Sequence, residues 1–163
     1  MKQHYSYYPG VLQFEISSVC NAQCPGCVRT YIVESDDPAV NTDITTVKTA
    51  VHPSIPKNVY LDLEIFKSIF TPRVCEELKV IEFCGTIDDP LVHPNFVDMI
   101  DFILQELPNV KILVHTNGSL RTPEYFESLS RKLKHHPGGT RWCFNIDGLS
   151  DTNALYRRNT NFE

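Results

Sequence analysis

The sequence has no apolar run of the roughly 20 residues needed to cross a bilayer. The stretch from Met1 to Gly10 also lacks the apolar core of a secretion signal. There is no basic excess: 15 Lys and Arg stand against 20 Asp and Glu, a net charge of −5, so no nucleic-acid partner and no membrane are expected. With no oxidising destination, the six cysteines are expected to be reduced thiols of a cytoplasmic chain, and their even number is not read as three bridges. A zinc site built from two C-x2-C pairs is excluded as well, because no second pair follows the first. What remains is a chain of 163 residues, 42% hydrophobic and 21% charged, enough for one globular domain with a real core.

The cysteines that are present are not evenly spread. Cys20, Cys24 and Cys27 stand at C-x3-C-x2-C spacing directly after Val11-Leu12-Gln13-Phe14-Glu15-Ile16, an apolar, β-branched and aromatic run that predicts a buried strand. Three thiols on a loop at a strand's C-terminal end can hold three irons of a four-iron four-sulfur (4Fe-4S) cluster and leave the fourth iron open to a small molecule. Zinc completed by His52 or Cys75 is the competing reading. Cys75, Cys84 and Cys143 fall one per element and read as packing residues, and His93, His115, His135 and His136 show no shared metal spacing.

Along the chain, Met1 to Pro9 carries no helical period. Residues 34–58 form a long polar stretch expected to be an insertion or a lid. Asp62 is a plausible N-cap for a helix with Leu63, Phe66, Ile69 and Phe70 on one face, limited by Pro72. Val80–Cys84 reads as a second strand, followed by the turn Gly85-Thr86-Ile87-Asp88-Asp89-Pro90. A helix from about Pro94 then carries Phe96, Ile100, Ile103 and Leu107 as a stripe. Lys111–His115 is a third strand ending in Thr116-Asn117-Gly118, and Thr122-Pro123-Glu124 opens a helix with Phe126, Leu129 and Leu133 inward. Trp142–Ile146 is a fourth strand, with Asp147-Gly148 and a short helix near Asp151–Arg158 after it. Strands alternating with helices imply an α/β fold with parallel pairing, whose chemistry gathers at the strands' C-terminal ends. On their own, Asp88-Asp89-Pro90, Thr116-Asn117-Gly118 and Asp147-Gly148 are also ordinary turn chemistry.

The cysteine spacing, the strand before it and the Cys20-Asn21 start resemble the radical S-adenosylmethionine (SAM) enzymes, over essentially Val11 to Glu163 and especially those members with a C-terminal twitch or SPASM auxiliary cluster domain. The resemblance implies a partial TIM-type (β/α) barrel, with about four βα units present of an expected six, and hence a C-terminally truncated core that binds a cluster without completing a turnover. It implies Cys20, Cys24 and Cys27 as cluster ligands, with Gly26 offering only backbone toward the adenine. The segment Gly85 to Pro90 is similar to the family's Gly-Gly-Glu-Pro stretch, which places Gly85, Asp88 and Asp89 at the methionyl amino group, Asp89 in the acidic position. Asn117 falls near cofactor or substrate, Asn145 and Asp147 near the ribose, and Arg158 of an Arg-x-Thr-x-Phe segment near the SAM carboxylate. The activity so implied is reductive cleavage of SAM to a 5'-deoxyadenosyl radical that takes hydrogen from a peptide or small-molecule substrate. The electron would come from an external donor such as flavodoxin or ferredoxin. A non-catalytic iron-sulfur or zinc-binding module on the same fold is the alternative.

Overall fold

A computed structural model describes residues 10–29 and 58–162. His52, the stretch Met1–Pro9 and all but the last residue of the 34–58 insertion lie outside the described residues. The chain is a mixed α/β fold around one parallel sheet: β1 (Val11–Phe14), β2 (Val80–Phe83), β3 (Lys111–Thr116) and β4 (Thr140–Phe144), lying side by side in chain order. The register pairs Val11 with Val80, Val80 with Lys111 and Ile112 with Thr140. The connections carry α1 (Leu63–Ser68) and α2 (Pro72–Glu77) before β2, a 3-10 turn (Pro90–Val92) and α3 (Phe96–Glu106) before β3, and α4 (Pro123–Leu133) before β4; α5 (Asn153–Tyr156) follows. Among the described residues, no helix is long and apolar enough to cross a membrane.

Strand alternation divides the sheet into two chemically different faces. Phe14, Ile81, Phe83, Ile112 and Val114 point to the helices and are buried, joined there by Phe66 of α1, by Phe96, Met99, Ile100 and Ile103 of α3, and by Leu129 and Leu133 of α4. Aromatic rings link the layers: Phe14 meets Phe66 at 5.1 Å and Phe83 meets Phe96 edge-on at 5.2 Å between centroids. The residues between them, Gln13, Glu82, His115, Arg141 and Cys143, stand on the opposite face and stay partly or fully exposed.

Capping explains where the elements start. Asp62 accepts from the Glu64 and Ile65 N–H groups at the head of α1, as its side chain predicts. Pro72 does end α1, but it also occupies the first turn of an unexpected helix, α2, whose N-cap Thr71 accepts from Val74 N–H. β4 runs Thr140–Phe144 rather than Trp142–Ile146, and two further boundaries differ from expectation for a physical reason. β1 stops at Phe14 rather than Ile16, because the Ile16 and Ser17 N–H groups turn to the Asp88 carboxylate, each at 2.9 Å. α3 begins at Phe96 rather than Pro94, because Asn95 N–H donates to His93 Nδ1 at 3.0 Å while the other ring nitrogen meets the Leu61 carbonyl at 2.9 Å.

Candidate cluster and cofactor site

The loop after β1 is fastened before it reaches the cysteines. Ser18 N–H donates to the Val59 carbonyl at 2.9 Å, Val59 N–H donates to Ser18 Oγ at 3.0 Å, and Asp89 N–H donates to the Val19 carbonyl at 3.0 Å. A tight turn then brings Cys27 N–H to the Cys24 carbonyl at 3.0 Å. Cys20, Cys24 and Cys27 thereby line one cavity of about 110 Å³ at the C-terminal ends of the strands, together with Gly85, Asp88, Asp89, Asn117, Asn145 and Arg157.

Each sulfur is addressed from a different segment: the turn after β3, the turn after β2 and the end of α5. Asn117, after β3, places its amide nitrogen 3.8 Å from Cys20 Sγ and donates to Asn21 Oδ1 at 2.8 Å. Thr86, after β2, offers its carbonyl to Cys27 Sγ at 3.9 Å. Arg157, beyond β4, points Nη1 at Cys24 Sγ at 3.6 Å and pairs with the Asp147 carboxylate. Burial pushes the Cys20 thiol up to about 11, helped by the Asp89 charge and opposed by a hydrogen bond from the Ala22 backbone. Burial also raises Cys24, against the pull of the Arg157 guanidinium. A bound cation would reverse that balance, since a coordinating thiol gives up its proton.

The two adjacent acids have different surroundings. The Asp89 carboxylate is 3% exposed and fully engaged by the protein: it accepts from Leu91 N–H at 3.1 Å, from Thr116 Oγ1 at 3.0 Å and from Asn117 N–H at 2.8 Å. It caps the 3-10 turn and ties it to the end of β3. In Asp88 only Oδ2 is engaged, by the Ile16 and Ser17 N–H groups, whereas Oδ1 is buried with no hydrogen-bond partner. Burial, with the neighbouring Glu15 and Asp89 charges adding to it and the hydrogen bonds opposing it, lifts the Asp88 pKa from 3.8 to about 7. Gly85 is needed here for close approach: a Cβ would lie 1.9 Å from Asp88 Oδ1 and 2.6 Å from Glu15 Oε2. Glu15 braces the same turn by accepting from the Thr86 and Ile87 N–H groups.

Of the residues expected at the site, Cys20, Cys24, Cys27, Gly85, Asp88, Asp89, Asn117 and Asn145 are brought together around the cavity. Asp147 stands one contact back, holding Arg157. Gly26 is exposed, and the group its missing side chain spares is Tyr156, whose hydroxyl would lie 3.0 Å from a Cβ. Arg158 is exposed and contributes only its carbonyl, which accepts from Gln23 N–H at 2.9 Å; the arginine in the cavity wall is its neighbour Arg157. Cys75 lies on α2, packed against the core with its thiol 3.5 Å from the Phe70 carbonyl, and cannot complete a site on this loop. Sequence reading missed Arg157, Thr116, Cys84 and His115. For Cys84 and His115 the available signal was their place at the ends of adjacent parallel strands.

No family model matches this chain, and no curated protein matches it.

Proposed function

We propose that the chain is a radical SAM protein: Cys20, Cys24 and Cys27 ligate a 4Fe-4S cluster, and SAM binds beside it at the C-terminal ends of β1 to β4. The observation that carries this reading is the convergence of the three loop thiols on one cavity, each sulfur faced by a group from a different segment: the turns after β2 and β3, and the end of α5. The donor set fits: three sulfurs without a fourth cysteine on the loop leave one iron of a cubane for an outside ligand. Strands in chain order with the polar face opposite the helices support the finer expectation of a partial (β/α) barrel, four units of which are present.

In this reading the chain's residues bind, orient and tune. Donors near a cluster's sulfurs shift its potential, and the Asn117 amide and the Arg157 guanidinium occupy those places at Cys20 and Cys24. Because the Ile16 and Ser17 N–H groups fix Asp88 Oδ2 as an acceptor, a proton on this carboxyl resides on Oδ1. A ligand ammonium would replace that proton, so Asp88 rather than the saturated Asp89 is the acceptor for the methionyl amino group. The remaining N–H groups of Arg157 suit the ligand carboxylate. A cavity of about 110 Å³ is smaller than the roughly 300 Å³ of a site enclosing a drug-sized ligand, so most of SAM would lie beyond its mouth, near Asn145. When bound, a reduced cluster of this kind supplies one electron to the SAM sulfonium and so a 5'-deoxyadenosyl radical, with flavodoxin or ferredoxin as electron donor and a peptide or small molecule as hydrogen donor.

Anaerobic reconstitution followed by electron paramagnetic resonance tests the reading. The reduced protein should show a cluster signal that changes when SAM is added, because SAM occupies the open iron. A cluster signal indifferent to SAM would leave a non-catalytic iron-sulfur module, and a chain that takes up zinc on the loop but no iron would overturn the cluster itself.

A further inference from the structure

On the inner face of the sheet, the one turned away from the helices that cover the outer face, lies a second group of metal-binding atoms. Glu82 and Cys84 are two residues apart at the end of β2, so they share a face, and the β2–β3 register continues to bring Cys84 level with His115. One ligand atom from each of Glu82, Cys84 and His115 lies within 4.8 Å of the other two, the group of three among the described residues that meets this condition. All three residues are partly buried.

Their arrangement is poorly explained as a simple ion pair. His115 Nε2 is 2.9 Å from Glu82 Oε1, yet the two are not aligned for a hydrogen bond, and Nε2 is buried with no hydrogen-bond partner. Burial raises the Cys84 thiol's pKa, with the Glu82 and Glu15 charges adding to it, an environment that a dication would reverse. Cys143 is level with His115 on the far side, on β4. Cys84 and Cys143 are two strands apart, roughly 9.6 Å between backbones, which is beyond the roughly 7 Å limit for a disulfide.

We infer that Glu82, Cys84 and His115 form a site for a divalent transition-metal ion of zinc type, separate from the loop cysteines and independent of whether those hold a cluster. Zinc takes sulfur at about 2.3 Å, imidazole nitrogen and carboxylate oxygen at about 2.0–2.2 Å, so tetrahedral neighbours sit roughly 3.3–3.8 Å apart. The three atoms lie within 4.8 Å of one another and the nearest pair at 2.9 Å, so the present spacing brackets that range. Binding releases the Cys84 proton, uses His115 as a neutral donor and leaves a fourth position for water or a ligand group. Cys84 and His115 also line the cavity that the loop thiols share, so this position is within reach of whatever binds there.

The test separates this site from the loop. In a chain carrying Cys20→Ser, Cys24→Ser and Cys27→Ser, which cannot hold the proposed cluster, titration with cobalt(II) as a zinc surrogate should give one bound ion. The bound ion should show thiolate charge-transfer and tetrahedral d–d absorption, and adding Cys84→Ser or His115→Gln should abolish both. A folded triple variant that binds no cobalt, or whose absorption survives Cys84→Ser, overturns the proposal. Should the triple variant fail to fold, alkylation of the original chain read by peptide mass decides. Zinc should slow labelling of Cys84 at least tenfold, and Glu82→Gln and His115→Gln should lose that protection without changing the labelling of the loop cysteines; labelling of Cys84 at the same rate with and without zinc overturns it. Iron uptake by His115→Gln, measured alongside, should stay at the original level.

Discussion

The two faces of the sheet are drawn from alternate residues of the same four strands, yet one is closed by packing and the other carries nearly all the reactive groups. Toward the helices stand Phe14, Ile81, Phe83, Ile112 and Val114; away from them stand Glu82, Cys84, His115 and Cys143, with the cysteine loop just beyond. The outer face is held by area removed from water and tolerates no charge. The inner face keeps its titratable groups partly exposed, so they stay open to a ligand. Stability and chemistry are therefore separable in this chain, and substitutions on one face should leave the property of the other intact in one direction only. Loss of the core unfolds the site, but loss of the site does not unfold the core.

The largest effect should come from Phe83→Ala. This ring is fully buried between Phe14, Phe66 and Phe96, and truncating such a residue costs about 3–5 kcal/mol, which urea unfolding would register together with loss of any bound iron. A cost below about 1 kcal/mol would show that the outer face is not the core. The opposite pattern is expected of Cys24→Ser: iron uptake falls to background while the unfolding free energy stays within about 1 kcal/mol of the original. If Cys75→Ala removed the iron and Cys24→Ser did not, the ligand assignment would be wrong.

A finer form of the same comparison exists between two neighbouring residues. Asp89→Asn removes an acceptor from Leu91, Thr116 or Asn117 in a buried setting, so it should destabilise the fold by about 1–3 kcal/mol. Asp88→Asn should leave the cluster in place and weaken SAM about tenfold or more, the effect of losing a charge-assisted hydrogen bond of roughly 1.5–3 kcal/mol. Calorimetry with SAM and urea titration of both variants would resolve them. An Asp89→Asn chain of normal stability that no longer binds SAM would return the amino-group role to Asp89.

Much of this was legible from residue patterns, and the exceptions have physical causes. The β/α alternation, the α3 stripe of Phe96, Ile100 and Ile103, and the Asp62 and Thr122 caps follow from local chemistry, which sequence displays directly. The cysteine loop was legible for the same reason: its spacing is local. The different surroundings of Asp88 and Asp89 were not, because they depend on which carboxylate meets Thr116 and Asn117 from another strand and which meets Ile16 and Ser17. Arg157 and Arg158 are equivalent as letters; the backbone path after α5 turns the first toward Cys24 and leaves the second in solvent. Cys84 and His115 looked like unrelated single residues because the register that makes them neighbours joins segments about thirty positions apart.

A pH series sharpens the Asp88 contrast. Its folded pKa is raised, to about 7 from 3.8, so its favourable contribution is fully present below pH 3.8 and is lost as pH rises through 7. His93 acts in the other direction: burial lowers its pKa from 6.5, so its contribution is present above that value and is lost as pH falls. The original chain combines the two opposing slopes, together with that of Asp89, whose pKa burial also raises. In Asp88→Asn the His93 and Asp89 contributions remain and only the Asp88 slope is gone. The stability of the variant relative to the original chain should therefore rise steadily from pH 5 to pH 7 and then level off, with a slope no steeper than the one-proton limit of about 1.4 kcal/mol per pH unit. A difference between the two chains that stays constant over this range would mean that Asp88 titrates as if in water, and would remove the reason for giving its unpartnered oxygen to a ligand ammonium.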